Sequence, residues 1–486
     1  MPGTDQLLIG DIFANSARAV PDRTAVIAGD RSLTFAALES TSNRMARALA
    51  SLGIARGSRV ALWGTTTLDA VPLFAALSKL GAVFVPVNGH LGPDEAMAII
   101  GRCGPQLLVT GAGRTAPAGA PNSIDLGELG ARAEGHEAAP VAVDGLSGRD
   151  PHVIFYTSGS TGQPKGAVLS HATNYLRTHP GALLEPRGAM VCPYPLFHMG
   201  AWTIALQQWQ ARDAVILLRS TEAEEICDTV ARHQATRINC VPAIWQRIIE
   251  HQSKARGRPL ASIRFADTGT SETRVEFLTA LEGAVPQAHI RVFYGSTEAG
   301  SVACLDHADI RTKPGSCGPP APGVKVRIAE DGELCVSSVL LFDGYLDDPD
   351  ATSACLRDGW YRTGDLADED DDGFLSIVGR RGDLIRTGGE SVVPTEVEAV
   401  LAEHPSVGDV AVLGLPDPSW GEVVCAVVVP VPDRDGPTLD SLRQLCRGRL
   451  ASFKHPRRLQ LVESLPRTDS TGQVQRRLLA DLLSEG

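Results

Sequence analysis

Short apolar runs alternate with segments of helical spacing through the first 300 residues of this chain, and that alternation leaves few folds open. Arg59-Val60-Ala61-Leu62-Trp63 reads as a strand, Leu68 to Leu80 as a helix, and Ala82-Val83-Phe84-Val85-Pro86-Val87 as the next strand. The texture returns at Ala214 to Leu218 and at Arg237 to Val241. Strands interleaved with helices predict an α/β fold of layered, mostly parallel sheets. From about Lys313 to Gly379 short β runs and turns take over, as in VKVRIAEDGELCVSS, which predicts a β-rich subdomain. The last hundred residues predict a small α+β unit, with helices at Thr395–Glu403, Leu439–Leu450 and Val474–Leu483 and strands at Val410–Leu413 and Val423–Val429. Between them, Gly379-Arg380-Arg381-Gly382-Asp383 has the polar, glycine-bearing composition of a hinge. The expected division is a large domain over 1–379 (β-rich from about 313), a hinge at 380–383, and a small mobile domain over 384–486.

Composition narrows the function classes. At 43% apolar and 21% charged residues the 486-residue chain is an ordinary globular one, and its net charge of −12 argues against a broad nucleic-acid footprint. No run approaches the roughly 18 apolar residues of a membrane span, and the N-terminus lacks the basic and apolar regions of a secretion signal. Ten cysteines without a single CxxC pair fit reduced, buried thiols in a cytoplasmic protein better than zinc knuckles or a disulfide framework. Only six of the 45 basic residues are Lys, at 79, 165, 254, 313, 325 and 454. That bias, with abundant Ala and Gly, suggests a GC-rich bacterial source and a role in specialised metabolism.

The sharpest local signal follows the apolar run Pro151-His152-Val153-Ile154-Phe155-Tyr156. It enters Thr157-Ser158-Gly159-Ser160-Thr161-Gly162-Gln163-Pro164-Lys165-Gly166 directly. Glycines let backbone amides approach a polyphosphate, hydroxyls add donors, and Lys165 brings a positive charge. The spacing GxxxxGK[ST] is absent, which excludes the common P-loop nucleotidases. A solvated Ser/Gly turn is the plainer alternative, but ten residues of this composition straight after a strand favour the phosphate loop.

That loop, YTSGSTGQPKG, resembles the signature of the ANL superfamily of acyl-CoA synthetases, peptide-synthetase adenylation domains and firefly luciferases. Further blocks match in order over nearly the whole chain: Tyr194-Pro195-Leu196-Phe197-His198, Tyr294-Gly295-Ser296-Thr297-Glu298, Tyr361-Arg362-Thr363-Gly364-Asp365, Gly379-Arg380, and Gly388-Gly389-Glu390 with Pro394-Thr395-Glu396-Val397-Glu398. The resemblance implies two half-reactions in one site. A carboxylic acid attacks ATP to give an acyl adenylate and pyrophosphate, and a thiol, often that of coenzyme A, then displaces AMP. It implies nucleotide contacts from Thr157, Ser158, Gly159, Ser160, Thr161, Gly162 and Lys165, from Gly269-Thr270-Ser271, and from Tyr294 to Thr297. Asp365 and Arg380 would hold the ribose, and Glu298 would bind Mg²⁺ beside the phosphates. Phe197, His198, Met199, Gly200, Trp202 and Gly295 would line the acid pocket, with His198 as a wall or gate rather than a base. Gly388 and Gly389 would form the face presented for thioester formation, and Gly382 occupies the hinge position. The acidic run Asp368-Glu369-Asp370-Asp371-Asp372 precedes Gly373 and reads as a solvated turn, not a metal site.

One block departs from the pattern. The family's last motif reads roughly PRTxTGK, and its Lys bridges carboxylate and α-phosphate during adenylation. Here the stretch is Pro466-Arg467-Thr468-Asp469-Ser470-Thr471-Gly472-Gln473, one residue longer and ending in a neutral amide. Removing one electrostatic stabiliser of a developing anion costs on the order of a hundred- to a thousandfold in rate. The sequence therefore predicts a ligase that keeps thioester formation while adenylation is lost or impaired, with a separate adenylating enzyme as partner. A complete two-step ligase in which Lys454 or Arg467 supplies the charge, and an enzyme that loads a carrier protein, are the alternatives. A non-catalytic nucleotide-binding regulator fits less well, because Glu298, Asp365, Arg380 and the Gly388-Gly389 face are all retained.

Overall fold

The two periodicities of the sequence resolve into sheets whose strands and helices follow the expected alternation closely. The computed structural model describes residues 4–111, 113–120, 122–157, 164–179, 188–254, 259–269, 273, 275–387, 390–432, 434–468 and 472–484. Two compact units emerge: Met1–Pro314 with Ala321–Lys325 and Ser337–Tyr361, and Gly315–Pro320 with Val326–Val336 and Arg362–Gly486. Packing thus divides the expected β-rich subdomain about evenly between the two units. Packing alone does not test the expected hinge at 380–383.

Among the described residues of the first unit, one eight-stranded sheet runs Gly300–Leu305, His289–Ser296, Phe265–Gly269, Arg237–Asn239, Met190–Cys192, Val215–Leu217, Thr24–Ala28, Arg31–Thr34. Its six inner strands are parallel and each edge strand is antiparallel. A seven-stranded sheet runs Gly344–Tyr345, Lys165–Ser170, Pro151–Thr157, Val83–Asn88, Arg59–Gly64, Leu107–Thr110, Ser123–Asp125. Only its first two pairings are antiparallel. Every residue of the helix Ala70–Leu80 is buried, as an all-round apolar helix must be. Phe74 is its centre. The ring stacks on Trp202 at 4.1 Å and meets Phe84 at 5.6 Å and His152 at 5.0 Å edge-on.

In the second unit a five-stranded sheet orders Glu390–Val392, Ile385–Thr387, Gly421–Pro430 and Val407–Asp417, with Arg458–Leu461 joined to Gly421–Pro430 in parallel. Helices Pro394–Leu401 and Leu439–Cys446 bury Val397, Leu401, Leu442 and Cys446 on one face of it. Helix Arg476–Ser484 buries Leu479 on the other. Glu333–Ser337, Trp360–Glu369 and Leu375–Arg380 are neighbours in the sheet of the β-rich part, the last two antiparallel. The chain therefore has a large α/β N-terminal domain with mixed, mostly parallel sheets and a β subdomain, plus a small C-terminal domain.

Several boundaries differ from expectation by a few residues, among them three at the ends of elements. The strand expected to reach Val241 stops at Asn239, because Pro242, with φ fixed and no N–H to give, opens the helix Pro242–Lys254. The helix expected from Val474 begins at Arg476, since Val474 bridges to Arg467 instead. The helix expected to reach Leu450 ends at Cys446. No described helix is long and apolar enough to cross a membrane.

Phe74 has no exposed surface. Replacing it with Ala should cost about 3–5 kcal/mol, the usual loss for deleting a buried aromatic ring. Urea unfolding followed by tryptophan fluorescence, which reports the adjacent Trp202, checks this through the shift in midpoint.

Candidate active site

The strand Pro151–Thr157 and the strand Lys165–Ser170 pair antiparallel, with Thr157 opposite Lys165. The expected phosphate loop is therefore the tip of a hairpin whose two ends are fixed. Ser158, Gly159, Ser160, Thr161 and Gly162 themselves lie outside the described residues. The next strand in the sheet places Tyr345 opposite Ala167, so Thr157, Lys165 and Tyr345 share one end of three adjacent strands. Lys165 Nζ stands 5.2 Å over the Tyr345 ring, a cation–π distance that holds the ammonium near the loop's exit.

Glu298 meets this group from the other sheet. It sits in the hairpin turn between His289–Ser296 and Gly300–Leu305 and is 8% exposed. Its Oε1 accepts from Tyr345 Oη at 3.0 Å and Thr157 Oγ1 at 3.4 Å. Burial and the adjacent carboxylate push the Tyr345 phenol well above its ordinary value, so the hydroxyl stays a donor. A single carboxylate among neutral hydroxyls suits Mg²⁺, which takes one or two carboxylates and leaves its other positions to water and substrate phosphates. No cluster of three or more His, Cys, Asp or Glu among the described residues offers a closed metal cage.

The two strands of the Tyr294–Glu298 motif approach too closely for side chains. A Cβ on Gly295 would stand 2.2 Å from Gly300 O, and one on Gly269 (φ +153°) 2.1 Å from Phe293 O. Both glycines are steric requirements of the backbone here. Thr270 and Ser271, expected to contact the nucleotide, lie outside the described residues.

At the expected acid pocket the structure separates the candidates. His198 precedes the helix Met199–Gln210, and its ring lies 4.3 Å from that of Phe197. Its Nε2 is buried without a partner among the described residues, and burial pushes its pKa down to about 4. Gly200 leaves room, since an added Cβ would only touch the Tyr194 ring at 3.9 Å. Trp202 is a correction. It has no exposed surface, stacks on Phe74 and donates Nε1 to Leu196 O at 2.6 Å, so it belongs to the core and lines no pocket. Sequence reasoning missed Tyr194 as a polar element of this region: its hydroxyl donates to Asn239 Oδ1 at 2.8 Å.

In the second unit Asp365 and Arg380 face each other across paired strands, with Nε 2.9 Å from Oδ1. Asp365 is 6% exposed and Arg380 open to solvent. The turn before Asp365 is held by Glu333, which accepts from Arg362 Nε at 2.8 Å, Arg381 Nη1 at 3.1 Å and the Gly364 N–H at 2.9 Å. Glu333 is 29 residues from its arginine partner in the motif and carried no sequence signal. Asp370 caps its own turn, taking N–H groups from Asp372 and Phe374, which is the solvated loop expected there.

Gln473 is exposed, in a small hairpin where its N–H reaches Thr468 Oγ1 and its carbonyl takes the Thr468 N–H. The two cations expected as alternatives for the adenylation charge are both engaged. Lys454 Nζ lies 2.5 Å from Glu396 Oε2, and Arg467 Nη2 donates to both Asp409 carboxylate oxygens at 2.8 and 3.0 Å. Gly388 and Gly389 lie outside the described residues. At Gly382 an added Cβ would meet open space and φ is not left-handed, so no steric need in this conformation demands glycine.

Comparison with known proteins agrees with this geometry. Residues 13–346 match the model of the AMP-binding enzyme family, and residues 396–471 that of the AMP-binding enzyme C-terminal domain. The chain is 34% identical to a feruloyl-CoA synthase of an Amycolatopsis species, covering 96% of this chain and 99% of that protein. It is 32% identical to the indoleacetate–CoA ligase of Aromatoleum aromaticum, covering 94% of each. The o-succinylbenzoate CoA synthetase of Bacillus subtilis, solved with its acyl-adenylate intermediate and with ATP and magnesium, superposes at a TM-score of 0.85 in both structures. It is 26% identical over 96% of this chain and 97–98% of that one.

The His198 imidazole should titrate near pH 4 by NMR, against about 6.5 in an unfolded chain. Between those values the unfolded state binds more protons, so stability is present above about pH 6.5 and is lost as pH falls toward 4. His171, also pushed to about 4 by burial, adds to the same window.

Proposed function

We propose, for a chain that belongs to the AMP-binding enzyme family and is an adenylate-forming ligase of the acyl-CoA synthetase type, that it carries out both half-reactions. In the first, a carboxylate oxygen of the acid bonds to the α-phosphorus of ATP and pyrophosphate leaves. In the second, the sulfur of coenzyme A bonds to the acyl carbon and AMP leaves. The observation that carries this reading is the buried Glu298 carboxylate, held by Tyr345 and Thr157 at the root of the phosphate hairpin. Full-length similarity to acyl-CoA ligases supports it.

Each residue has a role consistent with its surroundings. The Thr157–Lys165 hairpin would cradle the phosphates through its loop amides and the Lys165 charge. Glu298 would ligate Mg²⁺, which when bound supplies charge neutralisation at the phosphate oxygens. Asp365 and Arg380 would take the two ribose hydroxyls, one as acceptor and one as donor. His198, neutral at physiological pH, would wall the acid pocket without carrying charge. Residues 380–383 would serve as the hinge that exchanges the Gln473 hairpin for the Gly388-Gly389 face between steps. The acid is an aryl or alkyl carboxylate of the kinds its relatives take, such as ferulate or indoleacetate.

A second reading rests on Gln473 alone. A neutral amide where the family places lysine would leave adenylation slow, and the paired states of Lys454 and Arg467 offer no ready substitute. The chain would then act mainly on acyl adenylates made by a separate enzyme.

Acyl-CoA followed by mass distinguishes the two. Acids including ferulate and indoleacetate, with MgATP and CoA, should give thioester, and preformed adenylates should give it as well. Product from adenylates only would replace the two-step reading with the second. Gln473→Lys separates them further. If the amide limits adenylation, the substitution should raise the rate from acid and ATP about a hundredfold while changing the rate from adenylate far less.

A further inference from the structure

Arg177 occupies a position that the proposed chemistry does not yet use. It lies in the helix His171–Thr178 and is 8% exposed. Its Nε donates to Leu340 O at 2.8 Å, Nη1 to Thr297 O at 2.8 Å and Nη2 to Glu298 O at 2.9 Å. Nη1 also lies 3.4 Å from Met199 Sδ, at the start of the expected acid pocket. No ion pair to Arg177 within 4 Å exists among the described residues. Burial draws its pKa down to about 10, against which the nearby Glu298 and Asp343 carboxylates and the carbonyl dipoles hold the charge. A buried guanidinium in that setting is costly to keep unless its geometry does something a neutral side chain cannot.

The carbonyls of Thr297 and Glu298 belong to the two peptide units flanking the Glu298 Cα. Both are bonded to one rigid, planar fork, so the direction in which Glu298 leaves the backbone is fixed. The Phe342 N–H, donating to Glu298 O at 2.8 Å, braces the same unit. Gly300, at φ +73°, keeps the turn clear of the guanidinium: a Cβ there would stand 3.2 Å from Arg177 Nε. We propose that Arg177 is a positioning residue that aims the Glu298 carboxylate at its cation and, through Met199, ties that aim to the wall of the acid pocket. This rests on the reading of Glu298 as the Mg²⁺ ligand.

The test substitutes Arg177→Lys, which keeps the charge and loses the fork, with Arg177→Gln as a second variant. Thermal unfolding of each is measured alone, with ATP plus EDTA, and with ATP over a Mg²⁺ titration. The same proteins are assayed for acid-dependent ATP–pyrophosphate exchange and for thioester formation from preformed adenylate. The Mg²⁺ concentration for half-maximal stabilisation by ATP should rise about tenfold or more in Arg177→Lys. Exchange should fall at least tenfold more than the adenylate-to-thioester step. In a Glu298→Gln background, Arg177→Lys should shift the Mg²⁺ dependence no further, because the group it aims has gone.

A lowered melting temperature with wild-type Mg²⁺ dependence, or an equal loss in both half-reactions, overturns the proposal and leaves Arg177 as packing. If the wild-type protein shows no Mg²⁺-dependent stabilisation by ATP, Glu298 is not the cation ligand and the proposal falls with that assignment. If wild-type exchange is absent but the Mg²⁺ shift is present and moves in Arg177→Lys, the two-step reading fails while the positioning role stands.

Discussion

The antiparallel pairing of Thr157 with Lys165 is the constraint on which the site depends. It closes a loop rich in glycine and hydroxyls at both ends, so the loop's amides start from a fixed backbone and not from a free coil. It also sets the row into which Tyr345 fits from the neighbouring strand. Tyr345 and Thr157 then have one carboxylate to satisfy, and Glu298 arrives from the other sheet already oriented by its own hairpin turn. Buried carboxylate oxygens need hydrogen-bond donors. Here the donors are neutral hydroxyls, which leave the negative charge available to a cation. An arginine or lysine in their place would have consumed it.

The second unit solves a different problem. In the proposed reading Asp365 presents its oxygens from a rigid turn, and the surrounding charges divide the work of holding that turn. Glu333 takes Arg362, Arg381 and the Gly364 amide, which fixes the turn before Asp365. Arg476 similarly links Asp383, in the segment proposed as a hinge, to Glu398 on the helix Pro394–Leu401, at 3.2 and 2.7 Å. The residues just after the Gln473 hairpin are therefore mechanically joined to the residues just after Gly382.

Much of this was legible in the sequence, for a physical reason. Strand–helix alternation, the phosphate loop and the glycine-bearing turns are local, and local patterns reflect local sterics and periodicity. The position of Glu298 next to a phosphate loop is what the resemblance implies, and among the described residues Glu298 meets Thr157, the residue just before that loop. What escaped was non-local. Tyr345, Glu333, Arg177 and Asn239 each meet their partners across 29 to 163 residues, and nothing in their own neighbourhoods marks them. Trp202 misled because an aromatic one turn after His198 reads equally well as pocket wall or as core. Its stacking on Phe74 decided for the core. Helix ends erred where tertiary bonds competed, as at Val474, which pairs with Arg467 before the last helix begins.

The central claim is that this chain joins an acid to ATP through an acyl adenylate before thioester forms. The most direct measurement uses an acid labelled with ¹⁸O in its carboxylate, incubated with the wild-type protein, MgATP and CoA, with AMP and pyrophosphate analysed by mass. Attack of the carboxylate on the α-phosphorus and later loss of AMP carry one labelled oxygen into each AMP, leaving pyrophosphate unlabelled. Thioester formed with unlabelled AMP, or with ADP and labelled phosphate in place of AMP, would contradict the account.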